Sequence, residues 1–193
     1  MRYGSEHKQK TRDRVLKVAA KEIRAEGPHR VGVAGVMSKA GLTHGGFYAH
    51  FASKDALISA AIERMFDDAR ARWRHETEGK PAADAMRAYI DFYLCAKHRD
   101  APSVGCPIAA LAADQPRLTT ACRNAFATGV RGLADAIESR LVELDLVDAH
   151  ALASSVQSEL VGALSLARGE TDRARSDAML EASRRLLKQR LGL

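Results

Sequence analysis

The chain has 193 residues, 46% of them hydrophobic and 28% charged, a net charge of +6 and three cysteines. That length supports one or two domains with a substantial core. No apolar run approaches the roughly 18 residues of a membrane span, and the basic, polar start is not a signal peptide. An odd number of cysteines without metal spacing argues against a disulfide framework and fits a reducing compartment, so a cytoplasmic protein with no membrane partner is expected.

The charge is unevenly placed. Residues 1–54 carry eleven Lys/Arg against four Asp/Glu, and the remainder nineteen against twenty. The whole basic excess therefore lies at the N-terminal end, as phosphate binding requires. Met1–Lys10 reads as a mobile basic arm offering Arg2, Lys8 and Lys10. Thr11–Glu26 is predicted helical: Val15, Ala19, Ala20 and Ile23 share a face, leaving Lys17, Lys21 and Arg24 toward solvent, and Gly27-Pro28 ends the run. A second helix is expected over Val33–Ala40, then a tight turn at Gly41 and a third helix over Thr43–Phe51 with Thr43 as its cap.

In that third helix, at about 100° per residue, Phe47 and Phe51 fall on one face. Gly45, Gly46 and Ala49 point away, and Tyr48 and His50 flank the stripe. Two adjacent glycines cost a helix about 2 kcal/mol relative to alanine; one reason to keep them is close approach of another large body to this backbone. Helix, Gly-containing turn and second helix form the helix-turn-helix pattern, and the approaching body is then DNA.

Ser53 caps a long fourth helix to about Glu78, with Leu57, Ile58, Ala61, Ile62, Met65, Phe66, Ala69 and Trp73 as its stripe. Pro81 suits the first turn of a fifth helix reaching about Arg99. Arg99–Pro107 is the one extended Pro/Gly-rich interior loop. A short helix follows to about Ala113, and Pro116 is expected to open another to about Leu144. The final two helices are placed at Asp148–Arg168 and Thr171–Leu191. Both carry apolar residues on more than one narrow face, which fits either a partner surface or packing within one subunit.

No catalytic set is present: no nucleophile elbow, phosphate loop, zinc-protease motif or paired-cysteine spacing. No enzyme activity, metal or cofactor is expected. A helical bundle can instead hold a ligand cavity. Phe66, Trp73, Tyr89, Phe92, Tyr93 and Phe126 are candidate lining residues, each open to being plain core. Cys106 precedes Pro107 and should cap a helix N-terminus, where unpaired amides and the helix dipole favour thiolate. With Lys97 and Arg99 on the approach it is either a reactive thiol or a small apolar filler. Cys95 and Cys122 fall inside predicted helices and read as inert.

Residues Thr11–Leu57 resemble the DNA-binding domain of TetR/AcrR-family transcriptional regulators. The matching pieces are T-R-D-R-V-L-K-V-A-A from Thr11, A-G-L-T-H-G-G-F-Y-A-H-F from Ala40 and S-K-D-A-L from Ser53. The resemblance implies an all-α protein with a DNA-binding domain over 1–54, its helix-turn-helix at about 31–50, and a regulatory domain over 55–193. It places Thr43, His44, Gly45 and Gly46 at the recognition surface and Tyr48, His50 and Lys54 at phosphates of double-stranded operator DNA. Where the family often has a hydroxyl or basic side chain entering the second helix, this chain has Gly32, Val33, Ala34 and Gly35, so few base contacts are expected from there. The resemblance further implies a homodimer through 148–168 and 171–191, and a repressor released by a small hydrophobic or aromatic inducer in the C-terminal domain. Oxidant or electrophile sensing through Cys106 is the alternative.

Overall fold

The computed structural model describes the backbone of residues 2–193 and the side chains from Glu6 onward. Among these residues every regular element is helical, as expected, and no helix is long and apolar enough to cross a membrane. The order is α1 (Arg2–Glu26), α2 (Val33–Lys39), a 3-10 segment His44–Ala49, α3 (Lys54–Thr77), α4 (Ala82–Tyr93), α5 (Ala96–Arg99), a 3-10 turn Pro102–Val104, α6 (Pro107–Leu111), a 3-10 turn Ala112–Arg117, α7 (Thr120–Glu143), α8 (Ala149–Gly169) and α9 (Arg173–Arg190).

Helix α3 is the spine. Ser53 caps it by accepting a hydrogen bond from the Ala56 amide at 3.1 Å, and it packs on α1, α4 and α7; α7 continues to α8 and α8 to α9. One hydrophobic core runs from Val15 to Leu191. At the α3–α7 crossing the backbone of Gly129 lies against Phe66, where an added Cβ would come within 2.2 Å of the ring. Phe126 meets the same ring edge-on at 5.5 Å.

Several elements differ from the sequence reading. The basic arm is not separate: from Arg2 onward it forms the opening turns of α1, supported by the Lys10–Glu6 ion pair and a hydrogen bond from Gln9 to Asp13. The side chain of Arg2 lies outside the described residues. The third helix is a six-residue 3-10 run, and Thr43 makes no side-chain cap bond. Pro81 precedes the first turn of α4 instead of sitting within it.

The helix expected to run to Arg99 breaks at Leu94 (φ −97°, ψ 54°). Cys95 then becomes the cap of α5, its sulfur facing the His98 amide at 3.4 Å; it is not inside a helix. Pro116 sits within a 3-10 turn, and the cap of α7 is Thr119, whose hydroxyl accepts from the Cys122 amide. Arg24, expected in solvent, is buried.

Candidate nucleic-acid interface and internal cavity

The turn before the recognition segment is made at Gly41, whose φ of +68° a side chain would strain. Its amide and that of Leu42 reach back to the Ser38 and Met37 carbonyls, both at 2.9 Å, closing the end of α2. The Gly45-Gly46 pair weakens any α-helical preference, and the following residues wind more tightly. At the end of the run the Phe51 amide bonds the Phe47 carbonyl at 3.0 Å, a full α-turn. That restores the stacking expected of Phe47 and Phe51: both rings are buried, 5.7 Å apart. The Arg12 guanidinium of α1 lies over Phe51 at 5.0 Å, and a Lys39–Glu22 ion pair ties α2 to α1.

Outward from this anchor, Thr43, His44, Gly45 and Ala49 are exposed and Tyr48 is 72% exposed. Gly46 and His50 are half-buried. A Cβ built on Gly45 meets no atom within 4 Å, and one on Gly46 meets only side-chain atoms at 3.8 Å. Neither glycine has a positive φ, so neither backbone conformation nor packing room requires the pair. His50 keeps a buried, unpartnered Nδ1. Burial, then Lys8 and Arg12, push its pKa down and favour the neutral ring. Lys54 opens α3 and its ammonium reaches the His29 carbonyl at 3.4 Å.

The second region is a cavity of about 500 Å³ between α1, α3, α4 and the loop before α6. Of the six aromatic candidates Tyr89, Phe92 and Tyr93 line it, and so does Cys106. Phe66 and Phe126 do not: they form the α3–α7 core pair, and Phe66 edges a separate shallow groove instead. Trp73 is also excluded, packed edge-on behind Tyr89 at 4.5 Å. The near wall comes from α1: Lys17 and Lys21, exposed as expected, and Arg24, which is buried instead of facing solvent.

His98 organises the far wall. Its ring stacks on Phe92 at 5.3 Å and meets Tyr93 edge-on at 4.8 Å. Nε2 accepts the Cys106 amide at 3.1 Å, so Nδ1 carries the proton and donates to the Tyr93 carbonyl at 2.8 Å. Burial, with Arg168 and Arg72 nearby, pulls its pKa down to about 4, so the ring is neutral near pH 7. Arg168 of α8 donates to the carbonyls of His98 and Arg99, each at 3.1 Å.

Arg99 does not approach Cys106. It turns to α9, donating to Ser176 at 2.7 Å and Asp177 at 2.5 Å, and to Asp100 at 2.8 Å. Cys106 is buried at the start of α6 without a side-chain cap bond. Cys95 is the more open thiol, also on the cavity. Cys122 is buried, and burial raises its pKa.

The sequence profile "Bacterial regulatory proteins, tetR family" matches residues 15–61. A second, "Transcriptional regulator LmrA/YxaF-like, C-terminal domain", matches 82–182. No curated protein shows a significant match. Among solved structures, reduced Escherichia coli NemR superposes with a TM-score of 0.82 at 21% identity, covering 93% of this chain and 96% of that one. A TetR regulator from Chloroflexus aurantiacus gives 0.81 at 25% identity, with 95% of each chain covered. One from Agrobacterium tumefaciens gives 0.80 at 22%, covering 95% and 98%. With two profiles spanning both ends and more than half its length, the chain belongs to the TetR family of transcriptional regulators.

Proposed function

We propose that the protein is a homodimeric repressor whose residues 1–54 bind a two-fold operator and whose residues 55–193 bind a small hydrophobic or aromatic inducer that releases it. The recognition surface is Thr43–Gly46, with Tyr48, His50 and Lys54 at phosphates. The observation that carries the inducer reading is the placement of the cavity. Its floor is aromatic, and its near wall is α1, the helix that packs on α2 and α3. A ligand seated there touches the DNA-binding end directly. It releases DNA only if it binds the DNA-incompetent arrangement more tightly than the competent one.

The dimer contact is assigned to α8 and α9, which leave Leu166 and Leu186 65% and 50% exposed. Two copies joined there present two recognition segments to a palindrome. Sedimentation of the wild type at micromolar concentration should give twice the chain mass, with the L166E/L186E double variant monomeric and weak on DNA. A monomeric wild type overturns the assignment.

The inducer reading is tested by filling the cavity. Ala69→Phe, on its α3 wall, should bind operator DNA yet no longer be released by compounds that release the wild type. Release of this variant at wild-type concentrations places the effector elsewhere.

A second reading is a thiol switch at Cys106. It is favoured by the position of Cys106 at the start of α6, on the same cavity as Arg24 and Lys97. Cys106→Ser should then bind DNA but ignore oxidant or electrophile, with Cys95→Ser as the control for the more open thiol. A Cys106→Ser protein that still responds rules this switch out.

A further inference from the structure

Two residues that line the cavity each carry a buried hydrogen-bond donor with no acceptor among the described residues. The Arg24 side chain is 4% exposed. Its Nη atoms reach the Met65 carbonyl at 3.0 Å and Asp68 at 3.4 Å, but its Nε–H is buried and unpartnered. Tyr93, 4% exposed, has a hydroxyl that is likewise buried and unpartnered. The Cys106 thiol beside it does not come into hydrogen-bonding geometry, and burial keeps the phenol protonated. His98 cannot serve either donor, because both its ring nitrogens are engaged. Buried donors without acceptors are uncommon and unfavourable, and both belong to residues that line the same cavity.

The charge around the cavity is mostly positive. Asp68 is shared between Arg24 and Arg64, and Glu76 is held by Arg72. That leaves Lys17, Lys21 and Lys97 on the cavity with no carboxylate within 4 Å among the described residues.

We infer that the cavity takes an anionic aromatic molecule, such as a ring compound bearing a carboxylate or sulfonate, its anionic oxygens bound by the Arg24 Nε–H and the Tyr93 hydroxyl and its ring lying along Tyr89 and Phe92. This rests on the cavity being the effector site and adds the charge of what binds there. Arg24 belongs to α1 and Tyr93 to α4, so the anion bridges the DNA-binding end and the regulatory helices. Seating it changes the contact on which the position of α1 depends.

The test uses the 193-residue chain and two fluorescent probes of similar shape, anilinonaphthalene sulfonate and the uncharged phenylnaphthylamine. The sulfonate should bind once per chain and at least about tenfold tighter than the neutral probe. Tyr93→Phe should weaken the sulfonate about tenfold, leave the neutral probe unchanged and raise the melting temperature, because it removes an unpartnered buried hydroxyl. Arg24→Gln should weaken the sulfonate at least as much. Ala69→Phe should abolish both. Equal affinity of the two probes, or a Tyr93→Phe protein that binds the sulfonate normally, overturns the anionic ligand; if Ala69→Phe still blocks both probes, the apolar effector site stands. If neither probe binds the wild type, or both bind Ala69→Phe, the cavity reading falls together with this one.

Discussion

The recognition segment and the cavity are built in opposite ways. In the segment a short apolar anchor, Phe47 stacked on Phe51, is buried, and Thr43, His44, Gly45, Tyr48 and Ala49 are turned outward. At the cavity two polar side chains, His98 and Arg24, are buried and held by other parts of the chain: His98 by Tyr93 and Cys106, Arg24 by Met65. A surface that meets a large external body can be written in a dozen consecutive residues. A pocket must be assembled from several helices, and its buried polar groups carry stability. Substitutions at the cavity should therefore move stability first, and substitutions in the segment should move DNA binding with little change in stability.

The largest stability effect is expected from His98. Its ordinary pKa of 6.5 falls to about 4 in the folded protein. Between these values the unfolded chain binds a proton that the folded chain refuses. His98 thus contributes stability that is complete above pH 6.5 and is lost as pH falls toward 4, up to about 3 kcal/mol. Asp100, held at about 2 by Arg99 and Arg173, stays ionised across that window. Urea unfolding at a series of pH values should show this slope in the wild type and a flatter one in His98→Asn, which keeps a donor for the Tyr93 carbonyl. Identical slopes would mean that His98 does not bury a neutral ring.

Next is Arg99→Ala. The guanidinium is 3% exposed, while its partners Asp100 and Asp177 are half-open to solvent. Water can therefore take over part of the lost interaction. The cost should be about 2 kcal/mol, below that of breaking a fully buried pair, read as a shift in the urea midpoint. An unchanged midpoint would show that the tie between α5 and α9 adds nothing to stability.

Across the molecule, the recognition segment should respond in binding. His44→Ala should cost about 1 kcal/mol of discrimination at one base pair. Lys54→Ala should weaken operator and unrelated DNA alike and lower the log–log salt slope by about one per half-site. The reverse pattern, with Lys54 setting sequence preference, would misplace the recognition surface. Neither substitution should shift the melting temperature as much as Arg99→Ala.

The same contrast explains what could be read from the sequence. The anchor, the Gly41 turn, the Ser53 cap and the long α3 each depend on residues within a few positions of one another, and they were legible. Within the cavity, periodicity could nominate Tyr89, Phe92 and Tyr93 as aromatic and inward, yet it equally nominated Phe66, Trp73 and Phe126. Helix crossing decides among them, since the bare backbone of Gly129 draws Phe66 into the α3–α7 contact. Arg24 was assigned to solvent by its helical face, because nothing local announces that α3 and the loop before α6 will cover it. The break at Leu94 leaves the Tyr93 carbonyl to His98, a partner five residues on that no helical pattern foretells. Cys95 as a cap was missed for the same reason.

The smallest expected effect is the sharpest test of the contrast. Gly45 is exposed, has ordinary backbone angles, and offers an added Cβ no neighbour within 4 Å. By internal criteria alanine belongs there: it should stabilise the fold by about 0.4–1 kcal/mol, mainly by restricting the unfolded chain. If the bare backbone is kept so that DNA can approach it, the added methyl stands in the interface and operator binding should weaken. Gly45→Ala should therefore melt slightly higher and bind more weakly, measured on the same preparation by calorimetry and fluorescence anisotropy. Unchanged binding would remove Gly45 from the contact surface. A lower melting temperature would mean that the glycine serves the 3-10 turn itself, and the reason for the pair would then lie inside the protein after all.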